Sequence, residues 1–201
     1  MNPRSTAVAL AAAGLLAATA TAAAAADPAV ARIESLDASL ISTMKEGPAL
    51  GPKGRFRKLQ PVVEESFDLP LMTRFAVGPA WAGMSEADHR ALVHAFARLT
   101  AASYAHNFDR FAGERFEVSP QAQTRGPDTI VQSKLLPRGR AAVNLVYRMR
   151  LADGQWKIVD VYYDGISQLT TRRSDFAAPL AAGGEKSLLA HLNETSARLL
   201  Q

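Results

Sequence analysis

Residues 155–176, QWKIVDVYYDGISQLTTRRSDF, change character midway, and the fold can be read outward from them. Trp156, Ile158, Val159, Val161, Tyr162 and Tyr163 are β-branched or aromatic, the residues that favour an extended pleated segment. Asp164-Gly165 breaks that segment. Beyond the break, Ile166 and Leu169 lie three apart, as on one face of a helix, while Ser167, Gln168, Thr170 and Thr171 are polar. A strand is thus expected to hand over to a helix with no linker between them. Just upstream, Asp153-Gly154 predicts a two-residue hairpin turn that pairs Ala152 with Gln155. Counting from that turn sets Leu151 opposite Trp156, Met149 opposite Ile158, Tyr147 opposite Asp160 and Leu145 opposite Tyr162. This face is apolar except for Asp160. The other carries Asn144, Arg148, Arg150 and Lys157 beside Val146, Val159 and Val161, as a partly solvated face would.

Further upstream, strands are predicted over 115–119, 129–136 and 141–151, with 155–163 as the fourth. Turn signals bound them: Ser119-Pro120, Gly126-Pro127-Asp128, Pro137-Arg138-Gly139 and Asp153-Gly154. No helix-length segment separates one strand from the next, so the sheet is an antiparallel meander. Helices flank it. Asp27-Pro28 opens the first, with Val30, Ile33, Leu36 or Asp37, Leu40 and Met44 recurring at three to four residues until Gly47-Pro48. Residues 47–54 alternate Gly and Pro and predict an irregular loop, followed by the basic cluster Lys53, Arg55, Arg57 and Lys58. Leu59, Val62, Val63 and Phe67 continue a second stripe. Asp68 caps a short helix from Leu69 to Val77, which Gly78-Pro79 ends; Trp81 and Met84 follow in a turn of helix.

Ser85-Glu86-Ala87-Asp88 is close to a capping box and starts a helix of about 25 residues striped by Leu92, Phe96, Leu99, Tyr104, Phe108 and Phe111. After the sheet come a helix through Arg173, another from Ser174, a break at Gly183-Gly184, and a final helix with Leu188, Leu189, Leu192 and Leu199. The fold class is α+β: N-terminal helices, a four-stranded antiparallel sheet, and C-terminal helices covering one sheet face.

The first 26 residues differ in kind from the rest. Arg4 is their one charge, an apolar run starts at Ala7, and Ala24-Ala25-Ala26 precedes Asp27, the pattern of a secretory signal with its cleavage site. The apolar run is short for a bilayer span of about 20 residues. No cysteine stands where a lipoprotein would need one, and the chain has none at all. The mature protein is therefore read as residues 27–201, a single domain exported to the periplasm and held by its core rather than by disulfides. Loss of Arg4 lowers the formal charge of +4 to about +3, which suits anionic headgroups or an acidic partner. It is too small and scattered to argue for nucleic acid.

Little in the chain points to catalysis. The four histidines are His89, His94, His106 and His191; the first two fall on different faces of a helix and no second ligand pair has zinc spacing, so no metal is expected. No serine sits in a nucleophile elbow and no glycine-rich phosphate loop follows a strand, so neither a cofactor nor a catalytic residue is assigned. Asp160 opposite Tyr147 is the one pair with a catalytic reading, as an isomerase-like or other lipid- or isoprenoid-acting enzyme, because a carboxylate on an apolar face has its proton affinity raised. The favoured reading has Asp160 accept hydrogen bonds from Tyr147 or from N–H groups of the following helix, and so fasten the strand-to-helix turn.

The run WKIVDVYYDGISQLTTRRSDF followed by GGEKSLLAHL resembles the end of the MlaC family of periplasmic lipid-binding proteins, also called the toluene-tolerance family. There a strand with Asp leads into Gly-Val/Ile-Ser, a Thr-Thr pair, a basic residue and an aromatic, then Gly and a Leu-rich helix. The helical segment Phe67 to Phe111 is similar as well. The form Tyr162-Tyr163-Asp164-Gly165-Ile166-Ser167 and the Ala-rich leader resemble the hopanoid-associated branch, HpnM. The resemblance implies a cystatin-like or NTF2-like sheet with helices around an apolar cavity. It also implies a non-enzymatic carrier that shuttles a phospholipid or hopanoid between membranes with an inner-membrane transporter. Such a carrier is physically necessary: exposing one acyl chain of about 16 carbons to water costs on the order of 12 kcal/mol at ~0.8 kcal/mol per methylene. On this reading the lining is Leu71, Phe75, Phe96, Leu99, Tyr104, Leu145, Tyr147, Met149, Ile158, Tyr162, Ile166 and Leu169. A monomer is expected. Lys53 to Lys58 and Arg172-Arg173 are candidates for the surface that meets the transporter, and a scaffold subunit without cargo is the remaining reading.

Overall fold

The computed structural model describes residues 27–201; the leader expected over 1–26 lies outside them. The order is α1 (Pro28–Ser66), α2 (Leu69–Val77), a 3-10 turn (Gly78–Gly83), α3 (Glu86–Asn107), β1 (Arg115–Val118), β2 (Gln123–Arg125), β3 (Asp128–Leu136), β4 (Val143–Ala152), β5 (Gln155–Tyr163), β6 (Ile166–Ser167) and α4 (Gln168–Leu199). The class is α+β, with helices at both ends of an antiparallel sheet.

Local chemistry accounts for most boundaries. Asp27 accepts from Ala29 N at 2.8 Å with Pro28 at the first helical position, and Asp68 accepts from Leu71 N at 3.0 Å. Ser85 and Asp88 form a reciprocal capping box at the start of α3. Two Asp-Gly pairs make the tight turns. Asp153 and Gly154 have φ of 49° and 75°, and Asp164 and Gly165 have 45° and 84°, the doubly positive turn whose twist matches the strands it joins.

Several expectations need correcting, among them the helix boundary at Ser174: α4 runs through it and leaves the helical region only at Gly183 and Gly184. The sheet has six strands rather than four: β2 pairs with the start of β3 beside β1, and Ile166-Ser167 form a short strand against Tyr162 and Tyr163 instead of starting a helix. Residues 47–54 are helical, and α1 is only kinked, at Gly51 (φ 60°, ψ 175°). Pro52 then stands at the first position of the second segment, where a missing N–H costs nothing. Finally, α3 ends at Asn107, which leaves Phe111 in the loop beyond it.

The β4–β5 hairpin starts in the expected register, with Ala152 opposite Gln155, Leu151 opposite Trp156 and Met149 opposite Ile158. A bulge then intervenes. Arg148 pairs with Asp160, Tyr147 with Val161 and Leu145 with Tyr163, so Val159 is an extra residue and the expected pairings of Tyr147 and Leu145 are each displaced by one. The displacement leaves Ile158, Val159 and Asp160 buried in succession. Leu151, expected on the apolar face, is 56% exposed at the hairpin tip.

The core lies between the helices and the sheet. α1 packs on β1, β3, β5 and α3, while α4 crosses α2 and α3 after leaving β5. Ile33, Leu36 and Leu40 of α1 are fully buried, and burial of each such side chain stabilises by roughly 1.5–3 kcal/mol. Phe176 of α4 meets Phe96 of α3 edge-on, with ring centroids 5.8 Å apart. On the other side of the sheet, Asp128 pairs with Arg150 at 2.7 Å and lies 3.4 Å from Arg148, in keeping with a partly solvated face.

Candidate functional site

A groove of about 690 Å³ opens along the seam between α1 and β1. α1 contributes Glu34, Asp37, Ala38, Ile41, Ser42, Lys45 and Glu46, whose three- to four-residue spacing puts them on one helix face. β1 contributes Phe116 and Val118, two apart and so on one side of the strand. The segment between α3 and β1 supplies Phe111 and Glu114, and Arg115 completes the rim. The floor is apolar apart from the buried Asp37, and the rim carries charges of both signs. Lys45 stands 5.2 Å from the centre of the Phe111 ring, so its cation caps an aromatic face at the mouth.

The wall made by that segment is fixed to α1. Gly47 packs so tightly on it that a β-carbon there would lie 2.0 Å from the carbonyl oxygen of Asp109, which excludes every other residue. Arg55, buried, donates from Nε to the Ala105 carbonyl at 2.7 Å and from a terminal nitrogen to the Gly47 carbonyl at 3.1 Å. Inward from the groove runs a row of rings: Phe116 to Phe108 at 6.2 Å, Phe108 to Tyr104 at 5.8 Å, and Tyr104 to Phe67 at 5.7 Å.

Asp37 is the anomaly of this site. It is 4% exposed, Ser133 Oγ on β3 stands 3.5 Å from its Oδ2, and its Oδ1 has no hydrogen-bond partner. Burial pushes its carboxyl up to about 8; the Ser133 contact opposes this and the nearby Glu34 charge adds to it. The acid is thus largely protonated at neutral pH. Burial likewise raises the phenols of Tyr104 and Tyr147, and the proximity of Asp37 raises both further. Sequence reasoning left Asp37 as an alternative to Leu36 on the helix stripe. An acid flanked by Ile33, Leu36 and Leu40 was the available signal.

Of the twelve residues expected to line a cavity, Phe96, Leu99, Leu145, Tyr147, Met149, Ile158 and Leu169 are buried within the packed core. Leu71, Tyr104 and Tyr162 are half-buried, and Phe75 and Ile166 are exposed at 45% and 63%. Tyr104 and Tyr147 come together near Asp37. None of the twelve lines the groove itself.

The basic cluster divides. Arg55 is the buried fastener just described, and Lys58 bonds Glu46 at 2.8 Å and Ser42 at 3.0 Å. Lys53 and Arg57 instead join Arg98 around a second cavity, of about 720 Å³, with Phe56, Ala197, Leu200 and Gln201. Arg98 lies over the Phe56 ring at 5.4 Å.

Asp160 is not paired with Tyr147. Its Oδ2 accepts from Ser167 Oγ at 2.6 Å and its Oδ1 from the backbone N–H of Leu169 at 3.0 Å, so both oxygens hold the start of α4. The Asp164-Gly165 turn has its own fastening, Asn144 N–H to Asp164 Oδ1 at 2.9 Å. His89 stacks on Trp81 with centroids 3.9 Å apart and bonds its carbonyl at 2.9 Å. Among the described residues no acidic or histidine cluster is arranged to hold a metal, and no helix is long and apolar enough to cross a membrane.

The fold and the seam together describe an α+β protein with helices laid over an antiparallel sheet and an amphipathic groove between the two layers. The chain belongs to the MlaC protein family, whose pattern it matches over residues 34–194. Among solved structures it is similar to a phospholipid-binding protein from Ralstonia solanacearum, solved in complex with a phospholipid. The TM-score is 0.72 and the identity 23%, over 87% of this chain and 100% of the other.

Proposed function

We propose that the protein is a periplasmic lipid carrier, a single domain from Asp27 onward that holds a phospholipid or hopanoid and exchanges it with an inner-membrane transporter. The observation that carries this reading is the groove at the α1–β1 seam, of a size that ligand pockets commonly have, with a row of packed rings running from Phe116 at its edge toward the core. Membership of the MlaC family and the phospholipid bound by the similar Ralstonia protein support it. A cargo chain would enter at Phe116 and follow Phe108 and Tyr104 inward as α1 moves off the sheet, replacing core contacts among the buried residues named above with lipid contacts. Asp160 serves folding in this reading, and no residue is given a catalytic role. Lys53, Arg57 and Arg98 offer a cationic surface for an acidic face of the transporter.

The test is the lipid content of freshly purified mature protein, read by native mass spectrometry. One lipid per chain, exchangeable with vesicles, is the expected result. Protein that is isolated empty and stays empty after incubation with vesicles would overturn the reading.

A further inference from the structure

We propose that Asp37 is a specificity-determining contact of this groove, and that its free carboxyl oxygen hydrogen-bonds an ester carbonyl of a diacyl lipid whose chains follow the aromatic row. The assignment rests on the carrier reading above. Three observations converge on it. Asp37 lines the groove, is 96% removed from solvent in relative terms, and leaves Oδ1 without a partner. A buried polar oxygen in that condition is destabilising, and a ligand atom of matching chemistry recovers the loss on binding.

The matching chemistry is an uncharged acceptor. The groups around Asp37 are Glu34 on its own helix, Ser133 on β3, Tyr104 on α3 and Tyr147 on β4, with Lys45 and Arg115 at the rim. None of the groups in closest contact is a cation, and burial keeps the carboxyl protonated, so it presents an O–H rather than a negative charge. That O–H suits a carbonyl oxygen and gives nothing to an ammonium group.

Depth then selects the carbonyl. Lys45 and Arg115 lie at the rim among Glu34, Glu46 and Glu114, where a polar lipid headgroup remains in water. The rings lie inward, where acyl chains are sheltered. Asp37 lies between the two, and in a diacyl lipid the ester linkage also lies between headgroup and chains.

The experiment offers the protein vesicles made of equimolar diacyl and dialkyl-ether phosphatidylglycerol of equal chain length, and counts the bound species by native mass spectrometry. The two lipids differ only in the carbonyl oxygens. Wild-type protein should carry the ester form in roughly tenfold excess, the worth of one buried hydrogen bond. Asp37→Leu should carry both forms equally, and Asp37→Asn, which keeps an N–H donor, should retain a preference. Equal loading of wild type, or a preference that survives in Asp37→Leu, overturns the assignment, as does a folded Asp37→Leu that takes up neither lipid. If the leucine variant fails to fold, the wild-type ratio decides alone. Wild-type protein empty of both lipids sinks the carrier reading and this assignment with it, whereas equal loading leaves the carrier standing.

Discussion

At the level of single residues, two buried aspartates with opposite surroundings carry most of the information. Asp160 has both oxygens satisfied by the first turn of α4, through Ser167 Oγ and the Leu169 N–H. Asp160→Ala should destabilise the protein by about 2 kcal/mol in urea denaturation, since a charge-assisted bond is lost and a buried N–H is left unpaired. Its lipid content should stay unchanged; loss of lipid from a variant that melts like wild type would give Asp160 a ligand role instead. Asp37 has the reverse signature. Its proton is held more tightly in the folded chain (about 8) than in the unfolded one (3.8), so between those values the folded state binds more protons. Stability should therefore fall as pH rises from about 4 to about 8 and level off above, with a slope from this group of at most about 1.4 kcal/mol per pH unit. Asp37→Leu should flatten that slope in thermal melts across the range. Asp88 and Asp109, lowered by hydrogen bonds from Ser85 and Arg110 respectively, act in the opposite sense at the acid end, and solvent screening at these half-exposed positions makes that effect small.

Among the elements, those fixed by a local chemical rule were legible and those fixed by a neighbour were not. Asp68 with Gly78-Pro79 bounds α2 at Leu69 and Val77 in sequence and structure alike, and Asp153-Gly154 sets the hairpin register through Ile158. Beyond Ile158 the register depends on where β5 absorbs one residue against β4, and nothing in the alternation of Val159, Asp160 and Val161 announces it. Gly and Pro signal a break in α1 but not its length: the sequence predicts an irregular loop over 47–54, and only Gly51 leaves the helical region. The groove at the α1–β1 seam is not legible in the sequence. The apolar residues that the sequence offers as lining, such as Met149 and Ile158, stand in the packed core, where the carrier reading has the cargo take over their contacts. Phe116 and Val118 of the short β1 line the groove and were not chosen, because core and lining draw on the same side chains and pairing alone distinguishes them.

At the scale of the whole molecule, the carrier reading requires α1 to part from the sheet inward of the groove, because the core behind it is packed. α1 crosses three strands there, and the side chains of Asp37 and Ser133 meet across it at 3.5 Å. The chain contains no cysteine, so thiols placed at these two positions would be its only ones. Asp37→Cys/Ser133→Cys protein, oxidised to tie α1 to β3, should neither release nor take up lipid from vesicles, and reduction should restore exchange on the native mass spectrometry assay. Exchange that is unaffected by the bond would place the moving part elsewhere. The bulge at Val159 has a further effect on this architecture. It gives one arm of the hairpin an odd residue, and a bulge adds twist to the strand that bears it. β5 thereby acts as a rudder: its added twist sets the bearing on which α4 departs after Ser167, and so the course that brings Phe176 to Phe96 in the core.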